Sequence, residues 1–586
     1  MEEGPNVKLF CCSWVRRMIP QAIREELYQI LRMTLPTLVS RLLNYLLPFV
    51  VTMFCGRLGN EVIGGYGLAF AVINITTTST GFGLVAACDT LVSQTFGGKN
   101  LLRVGTILQR GIIILMIFCL PCWALLINAQ PILLCLGQDP EVVRIAQVYI
   151  TAFLPAVPTM YLHQLQMVYL QNQGITIPQM FTAAMANIAN LLTNYILIYW
   201  LDLGVGGSAA ANSLSRFYSC IFLFILIWWK KLYKPTWAGW SSESLQEWGA
   251  FMKLAIPSVF MKCFEWWVYE LGGFFAGMLN EEDLAAQHVV VMLAFMTYMI
   301  PTGIQVATCA RVGNALGAGN TAGALLTSKV SLSLAAGFAT IEGIVLGSCK
   351  DKIGFIFTSD TKIVGLVSHM LSAYCVLQVF DALVCICTGI FMGTGKQKIP
   401  AVANLVGYYA IGLSLVVTFI FVVKTGIIGF WLGLLVAAAC QSICYIIVIF
   451  KLNWRNITVE AQERAQKATH MPLLNEAAGT NTTDQTASNG IQADDTVSAS
   501  TERDERNKTQ TACGVHQSQN GHLSVTQLII RRVFTLLVAV AILAVGVTVH
   551  YIVPLPEPLP TKANLTVDWI NTTSTDRVLS TVPSPM

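Results

Sequence analysis

The sequence predicts an all-α polytopic membrane protein: two pseudo-symmetric six-helix bundles plus a thirteenth transmembrane helix. Three observations predict it. Of 586 residues, 54% are hydrophobic and 12% charged, where soluble domains carry about 25% charged residues. The mean hydropathy is +0.61, too much apolar surface for a soluble fold whose exterior must be wetted. Second, thirteen stretches reach the ~20 apolar residues that a helix needs to cross a bilayer. Third, the chain repeats itself. Leu35-Pro36-Thr37 recurs as Ile256-Pro257-Ser258, 221 positions on, and Gly204-x-x-Gly207 recurs as Gly426-x-x-Gly429, 222 positions on. Gly97-Gly98-Lys99-Asn100 matches Gly317-Ala318-Gly319-Asn320, and Ile177-Pro178 matches Ile399-Pro400. An even number of spans in each half keeps both halves in one orientation, so the repeat is parallel. Two such halves commonly enclose a central path and alternate access by rocking.

The elements follow in order. Residues 1–34 form a cytoplasmic N-terminus with no signal-peptide pattern. Within it Ile23, Leu27, Ile30 and Leu31 share one helical face, which predicts an interfacial helix leading into the membrane. The N-terminal lobe, 35–229, has spans near 35–55, 64–86, 105–127, 145–168, 178–200 and 208–229. A cytoplasmic linker, 230–255, joins it to the C-terminal lobe, 256–450, with spans near 256–277, 286–308, 327–348, 366–391, 399–422 and 428–450. Residues 451–532 are rich in Thr, Ser, Asn, Gln and Asp and read as a disordered cytoplasmic linker. The thirteenth span is 533–553, and 554–586 is an extracellular tail.

Lys and Arg concentrate in alternate loops, which places the N-terminus inside. Thirteen spans then place the C-terminus outside. Asn564 and Asn571, each in an Asn-x-Thr sequon after the last span, are expected to face the lumen, where either can be glycosylated. Asn456, Asn481 and Asn507 are expected to stay cytoplasmic and bare; a glycan on Asn481 would overturn the span count and the orientation together. The composition excludes a nucleic-acid binder, a secreted disulfide scaffold and a coiled coil. The 17 cysteines lie mostly in apolar segments, with no His/Cys cluster at ligand spacing for a metal. No nucleotide-binding or hydrolase motif occurs, so no enzymatic activity is expected.

Charges inside spans cost about 2.5–3.5 kcal/mol each on insertion scales, and each needs a reason. The seventh span is the richest: Lys262, Glu265, Trp266, Trp267, Tyr269 and Glu270 fall within nine residues. Glu265 and Glu270 lie about 140° apart around a helix, whereas Lys262 and Glu265, Glu265 and Tyr269, and Trp266 and Glu270 each share a face. The cluster reads as a cation site, because a dehydrated carboxylate can trade a proton for a cation and aromatic faces attract that cation. The alternative is a Lys262–Glu265 ion pair with tryptophans anchored at the membrane interface. Asp381, mid-span in Val379-Phe-Asp-Ala-Leu, is a second carboxylate for the same cavity, or a satisfied interhelical hydrogen bond. Asn74 can orient a ligand or bond a neighbouring helix. Arg41 is a costly intramembrane charge; Arg216 is another, with an easier route to snorkel. His163 and His288 read as packing residues.

Several segments together carry a resemblance. Gly83-Leu-Val-Ala-Ala-Cys-Asp-Thr-Leu-Val-Ser-Gln94, Gln138-Asp-Pro140, Glu265-Trp-Trp and Ala310-Arg-Val-Gly-Asn-Ala-Leu-Gly-Ala-Gly319 resemble the multidrug and toxin extrusion (MATE) family, over residues 20–455 and the last span. The resemblance is closest to vertebrate members, which carry a thirteenth span. It implies a proton-coupled antiporter of the plasma membrane, apical in renal and hepatic epithelia, that exports small organic cations and cationic drugs. It implies no cofactor beyond the proton gradient. Glu265 then fits the essential carboxylate of the seventh helix and Glu270 its second. Trp266, Tyr269 and Tyr298 fit aromatic positions of the pocket, and Asn74 a polar position of the second helix. Asp381 stands where relatives have Glu. Met292 stands where vertebrate relatives have an acid, Arg41 replaces a neutral polar residue and Lys262 an apolar one; each makes the cavity more positive. An exporter of zwitterionic or anionic solutes, and a lipid or polysaccharide flippase, are the alternatives on the same fold.

Overall fold

The computed structural model describes residues 20–358, 360–466 and 525–553. The tail 554–586, the sequons at Asn481, Asn507, Asn564 and Asn571, and most of the 451–532 linker lie outside the described residues.

The N-terminal lobe holds α1 (Gln21–Leu58), α2 (Glu61–Gly97), α3 (Leu101–Ile127), α4 (Pro140–Phe153 with Ala156–Asn172), α5 (Ile177–Trp200) and α6 (Gly204–Trp229). The C-terminal lobe holds α7 (Trp248–Leu279), α8 (Glu281–Gly317), α9 (Thr321–Ile356), α10 (Thr361–Thr394), α11 (Lys398–Val422) and α12 (Ile428–Lys451). Two more helices follow, α13 (Trp454–Gln466) and α14 (Val525–Ile552). Eleven of the described helices are long and apolar enough to cross a membrane, and the two pieces of α4, bent by 58° at Leu154-Pro155, make a twelfth crossing. Of the thirteen expected spans, α7 falls outside that set. It is 32 residues long, and Lys262, Glu265 and Glu270 interrupt its apolar run.

The internal repeat is visible in local distortions. Pro36 lies inside α1 and Pro257 inside α7. The ends of α5 and α11 both widen into a π-turn, at Ile196–Trp200 and Thr418–Val422, 222 residues apart. Each lobe has its own apolar core. One is built on Val51, Leu115, Tyr149, Ile150 and Tyr161, the other on Val290, Val367, Leu371, Phe430 and Trp431.

Four expectations need correction. The N-terminal stripe does not lie on a membrane interface. The helix is continuous from Gln21, and Ile30 and Met33 join the core of the opposite lobe beside Ile304, Ile386 and Phe391. Glu26 on the same turn is paired bidentately with Arg311 of α8. The stripe thus finds protein rather than lipid, and the buried Glu26 finds its cationic partner, the half-buried Arg311, there. The inter-lobe linker ends early, since α7 begins at Trp248.

Residues 454–466, expected within the disordered linker, form α13. Trp454, Ile457, Ala461 and Ala465 recur at helical spacing and are all buried. Glu460 pairs with Lys396, and Arg464 reaches Gln94 of the other lobe at 3.0 Å. Desolvation lowers the pKa of the Arg464 guanidinium from its usual value. The last helix starts at Val525 rather than Val533. Its first turns are held by the protein: Arg532 Nε donates to the Leu245 carbonyl at 2.9 Å and the guanidinium stacks 4.1 Å over Trp248. Further along, Gly546 packs on Ala124, and its carbonyl accepts from Asn128 at 2.9 Å.

The lobes meet at the end of the bundle that carries Gln21. A Cβ on Gly97 would sit 2.0 Å from the Asn314 carbonyl oxygen, and one on Gly317 would sit 1.9 Å from that of Gln94. These repeat-related glycines let two backbones touch. Gly97→Val is expected to force the ends apart at a cost of about 1–3 kcal/mol. Labelling of an introduced Ser93→Cys, buried at this seam, by a permeant maleimide should then accelerate. An unchanged labelling rate would mean that the seam yields without opening.

Candidate site in the C-terminal lobe

The site is built from about two turns of α7 facing α8, α10 and α11. Glu265 lies three positions after Lys262 and Tyr269 four after Glu265, so all three project to one side of α7. Lys262 Nζ lies 3.0 Å from Glu265 Oε2, and the two side chains are only 13% and 8% exposed. The other carboxylate oxygen, Oε1, accepts from the Tyr298 hydroxyl of α8 at 2.8 Å. Asp381 of α10 is buried, and its Oδ2 accepts from Tyr269 at 3.3 Å. The two carboxylates sense each other, and both sense Lys262. Tyr408 of α11, fully buried, is in electrostatic contact with both acids.

A second layer fixes α7. Asn404 Nδ2 donates to the Met261 carbonyl at 2.8 Å, and its Oδ1 accepts from Tyr445 at 2.7 Å. Gln441 completes the network by donating to Tyr445 at 2.9 Å. The carbonyl so held belongs to the residue before Lys262. Buried networks of this kind make a single arrangement the stable one.

Lys262, Glu265, Tyr269, Tyr298 and Asp381 therefore meet in one place. The Lys262–Glu265 pair forms, but the tryptophans are not interfacial anchors. Trp266 packs on Phe82 of α2 at 5.4 Å, and Trp267 Nε1 donates to the Ile75 carbonyl at 3.2 Å. Both indoles face the other lobe. Glu270 shares the Trp266 face of the helix and is exposed, apart from the buried pair. Asn74 stands across the lobe boundary, at the start of a π-turn, Asn74–Thr78, whose next carbonyl receives Trp267. Arg41 of α1 lies within electrostatic reach of Tyr298 and Cys385 on one side and of Asp89 on the other, and its Nε has no partner. Met292 is half-buried on α8. Arg216 stands near the middle of α6, half-buried, with its Nε buried and without a partner.

Tyr408 and the Asn404–Gln441–Tyr445 network are absent from the sequence-based expectation. The one signal available was Asn404 and the Gly407-Tyr408-Tyr409 run in an otherwise aliphatic span. Among the described residues no cluster of His, Cys, Asp or Glu suits a metal ion.

A two-lobed helical bundle with a buried charged cluster in one lobe is the architecture of a polytopic secondary transporter. The MatE family profile matches residues 36–196 and 257–418, one match per lobe at the repeat distance seen above. The chain belongs to that family and is a MATE efflux transporter. It is 44% identical over 549 residues to Multidrug and toxin extrusion protein 1 of Danio rerio, covering 92% of each chain. It is 41% identical over 542 residues to the Homo sapiens protein of that name, covering 91% of this chain and 94% of the relative. Among solved structures it matches the eukaryotic MATE transporter AtDTX14 with a TM-score of 0.73 at 25% identity, over 76% of this chain and all of that one. The fold is shared with the Vibrio cholerae MATE transporter VcmN in its bent form, at a TM-score of 0.65 and 17% identity, over 76% of this chain and 100% of that one.

Proposed function

We propose that this transporter exchanges extracellular protons for intracellular small organic cations and cationic drugs by alternating access. The observation that carries the reading is the buried Glu265 carboxylate, bonded to Lys262 and Tyr298. Ionised, it attracts a cation entering from inside, with Tyr269, Tyr298 and Trp266 offering aromatic faces and Asp381 a second negative charge. The lobes rock to open outward. A proton from outside then occupies Glu265, the cation leaves, and the protonated lobe returns. One carboxylate cannot hold both partners, and that exclusion is the coupling. Glu270 and Asn74 line the approach between the lobes. The closed seam of glycines faces the cytoplasm in this reading, with the N-terminus inside, the C-terminus outside and the chain in the plasma membrane, apical in epithelia. No cofactor takes part besides the proton gradient.

A second reading concerns the solute. Lys262 in the cluster and Arg41 at its edge add two positive charges to two acids, which favours zwitterions over simple cations. Uptake of a labelled tetraalkylammonium ion into acid-loaded and neutral vesicles tests the main reading. Uptake is expected to depend on the acid interior and to collapse with a protonophore. Equal uptake in both vesicle populations would overturn proton exchange.

A further inference from the structure

The short helix α13 is fastened to the C-terminal lobe along most of its length. Trp454, Ile457 and Ala461 enter the apolar cluster of Ile304 and Phe391. The hydroxyls of Thr458 and of Thr321 on α9 are bonded at 2.7 Å, and Glu460 pairs with Lys396 at 2.9 Å. The last residues of α13 cross to the other lobe. Arg464 Nη1 donates to Gln94 Oε1 at 3.0 Å, and the Ala465 carbonyl accepts from Asn100 Nδ2 at 3.1 Å. Glu460, one turn back, holds the other terminal nitrogen of Arg464 at 2.9 Å and so aims the guanidinium. A Cβ on Gly98 would stand 2.7 Å from the Cβ of Ala465, so glycine is what lets the helix lie this close. Gln94 is fully buried and is gripped from a second side, where it donates to the Gly393 carbonyl at 2.9 Å. Parting Gly97 from Asn314 and Gly317 from Gln94 separates the lobes at this end. The apolar anchors of α13 survive that motion, whereas its bonds to Gln94 and Asn100 lie across the seam and must break. Two hydrogen bonds, one of them charge-assisted, suit a contact that is made and broken repeatedly.

We propose that α13 is a strap: anchored on the C-terminal lobe, it grips the turn between α2 and α3 through Arg464 and Ala465, and its release sets how readily the seam opens. It touches neither solute nor coupling proton. It biases the two states of the seam toward the closed one. Its effect on turnover rests on the alternating-access reading; its hold on the seam does not.

Two measurements on the full chain in proteoliposomes test the strap. The first needs no transport. In a Ser93→Cys background, Arg464→Ala should raise the rate at which a permeant maleimide labels position 93 by about tenfold, the equivalent of one charge-assisted hydrogen bond lost across the seam. Arg464→Lys should raise it less. The second measurement locks the strap. Gly98→Cys/Ala465→Cys is oxidised, and a disulfide, whose Cβ atoms lie about 3.5–4.5 Å apart, fits there after a shift of about 1 Å. Uptake of a tetraalkylammonium ion should fall in proportion to the fraction cross-linked, read by mass spectrometry, and a reductant should restore it. Thr321→Cys/Thr458→Cys ties α13 to its own lobe and, oxidised, should transport as it does when reduced; the wild type treated in the same way controls for the native cysteines. An unchanged labelling rate in Arg464→Ala overturns the proposal. So does undiminished uptake by the oxidised Gly98→Cys/Ala465→Cys chain, or a failure of that pair to cross-link at all. Absence of uptake by the untreated wild type would contradict the transport reading instead, and the labelling rate would then decide the strap alone.

Discussion

Glu265→Gln should abolish proton-coupled exchange. The amide keeps the size of the side chain and can still accept from Tyr298, but it carries no charge and does not titrate. A charge-assisted contact to a bound cation is worth about 1.5–3 kcal/mol, so solute affinity alone should fall by about 10- to 100-fold. The coupling should vanish outright, since no proton can displace the solute from an amide. Lys262 complicates the experiment, because the substitution strips a buried ammonium of its partner, and breaking a buried pair costs about 3–5 kcal/mol. The double variant Lys262→Leu/Glu265→Gln removes both charges and is the proper control. It should reach the membrane at wild-type abundance and remain inactive. Glu265→Asp should retain partial activity with altered affinity, because the shorter carboxylate cannot hold both its 3.0 Å and 2.8 Å contacts. Exchange at the wild-type rate in the double variant would move the coupling site elsewhere, with Asp381 the next candidate.

Lys262→Leu should act in the opposite direction on affinity. The ammonium occupies the oxygen that an incoming cation would use, at 3.0 Å and almost out of solvent. A cationic solute must compete with it. At an effective dielectric near 20 two unit charges 4 Å apart interact by about 4 kcal/mol, of which desolvation and side-chain entropy return a large part. A fall in KM of about tenfold for a small organic cation is therefore expected, and a rise for a zwitterion that presents its own carboxylate to Lys262. Uptake kinetics for the two solutes in wild type and Lys262→Leu check this. An unmoved KM for both would mean that the ammonium swings away whenever solute binds.

Much of this was legible in the sequence. The lobes, the repeat and the crossings follow from hydropathy and from Gly and Pro punctuation, since lipid allows only helices with satisfied backbones. Glu265 and Asp381 stood out because carboxylates in apolar runs are expensive. What escaped needed the third dimension. The stripe Ile23-Leu27-Ile30 has the same pattern whether it meets lipid or protein. The α13 helix shows four small or apolar contacts among polar residues, and composition outweighed its period. Tyr408 is one aromatic residue in an apolar span, and only the placement of α11 beside α10 brings it to Asp381.

The exclusion of proton and cation from a single carboxylate is the core of the account, and equilibrium binding tests it without transport. Labelled tetraalkylammonium is bound to the purified full chain across a range of pH, and protons released on binding are counted in weak buffer. Affinity should fall as the medium is acidified, by up to about tenfold per pH unit, with up to about one proton released per cation bound. In the Lys262→Leu/Glu265→Gln chain both responses should disappear. Binding to the wild type that is independent of pH and releases no proton would contradict the account.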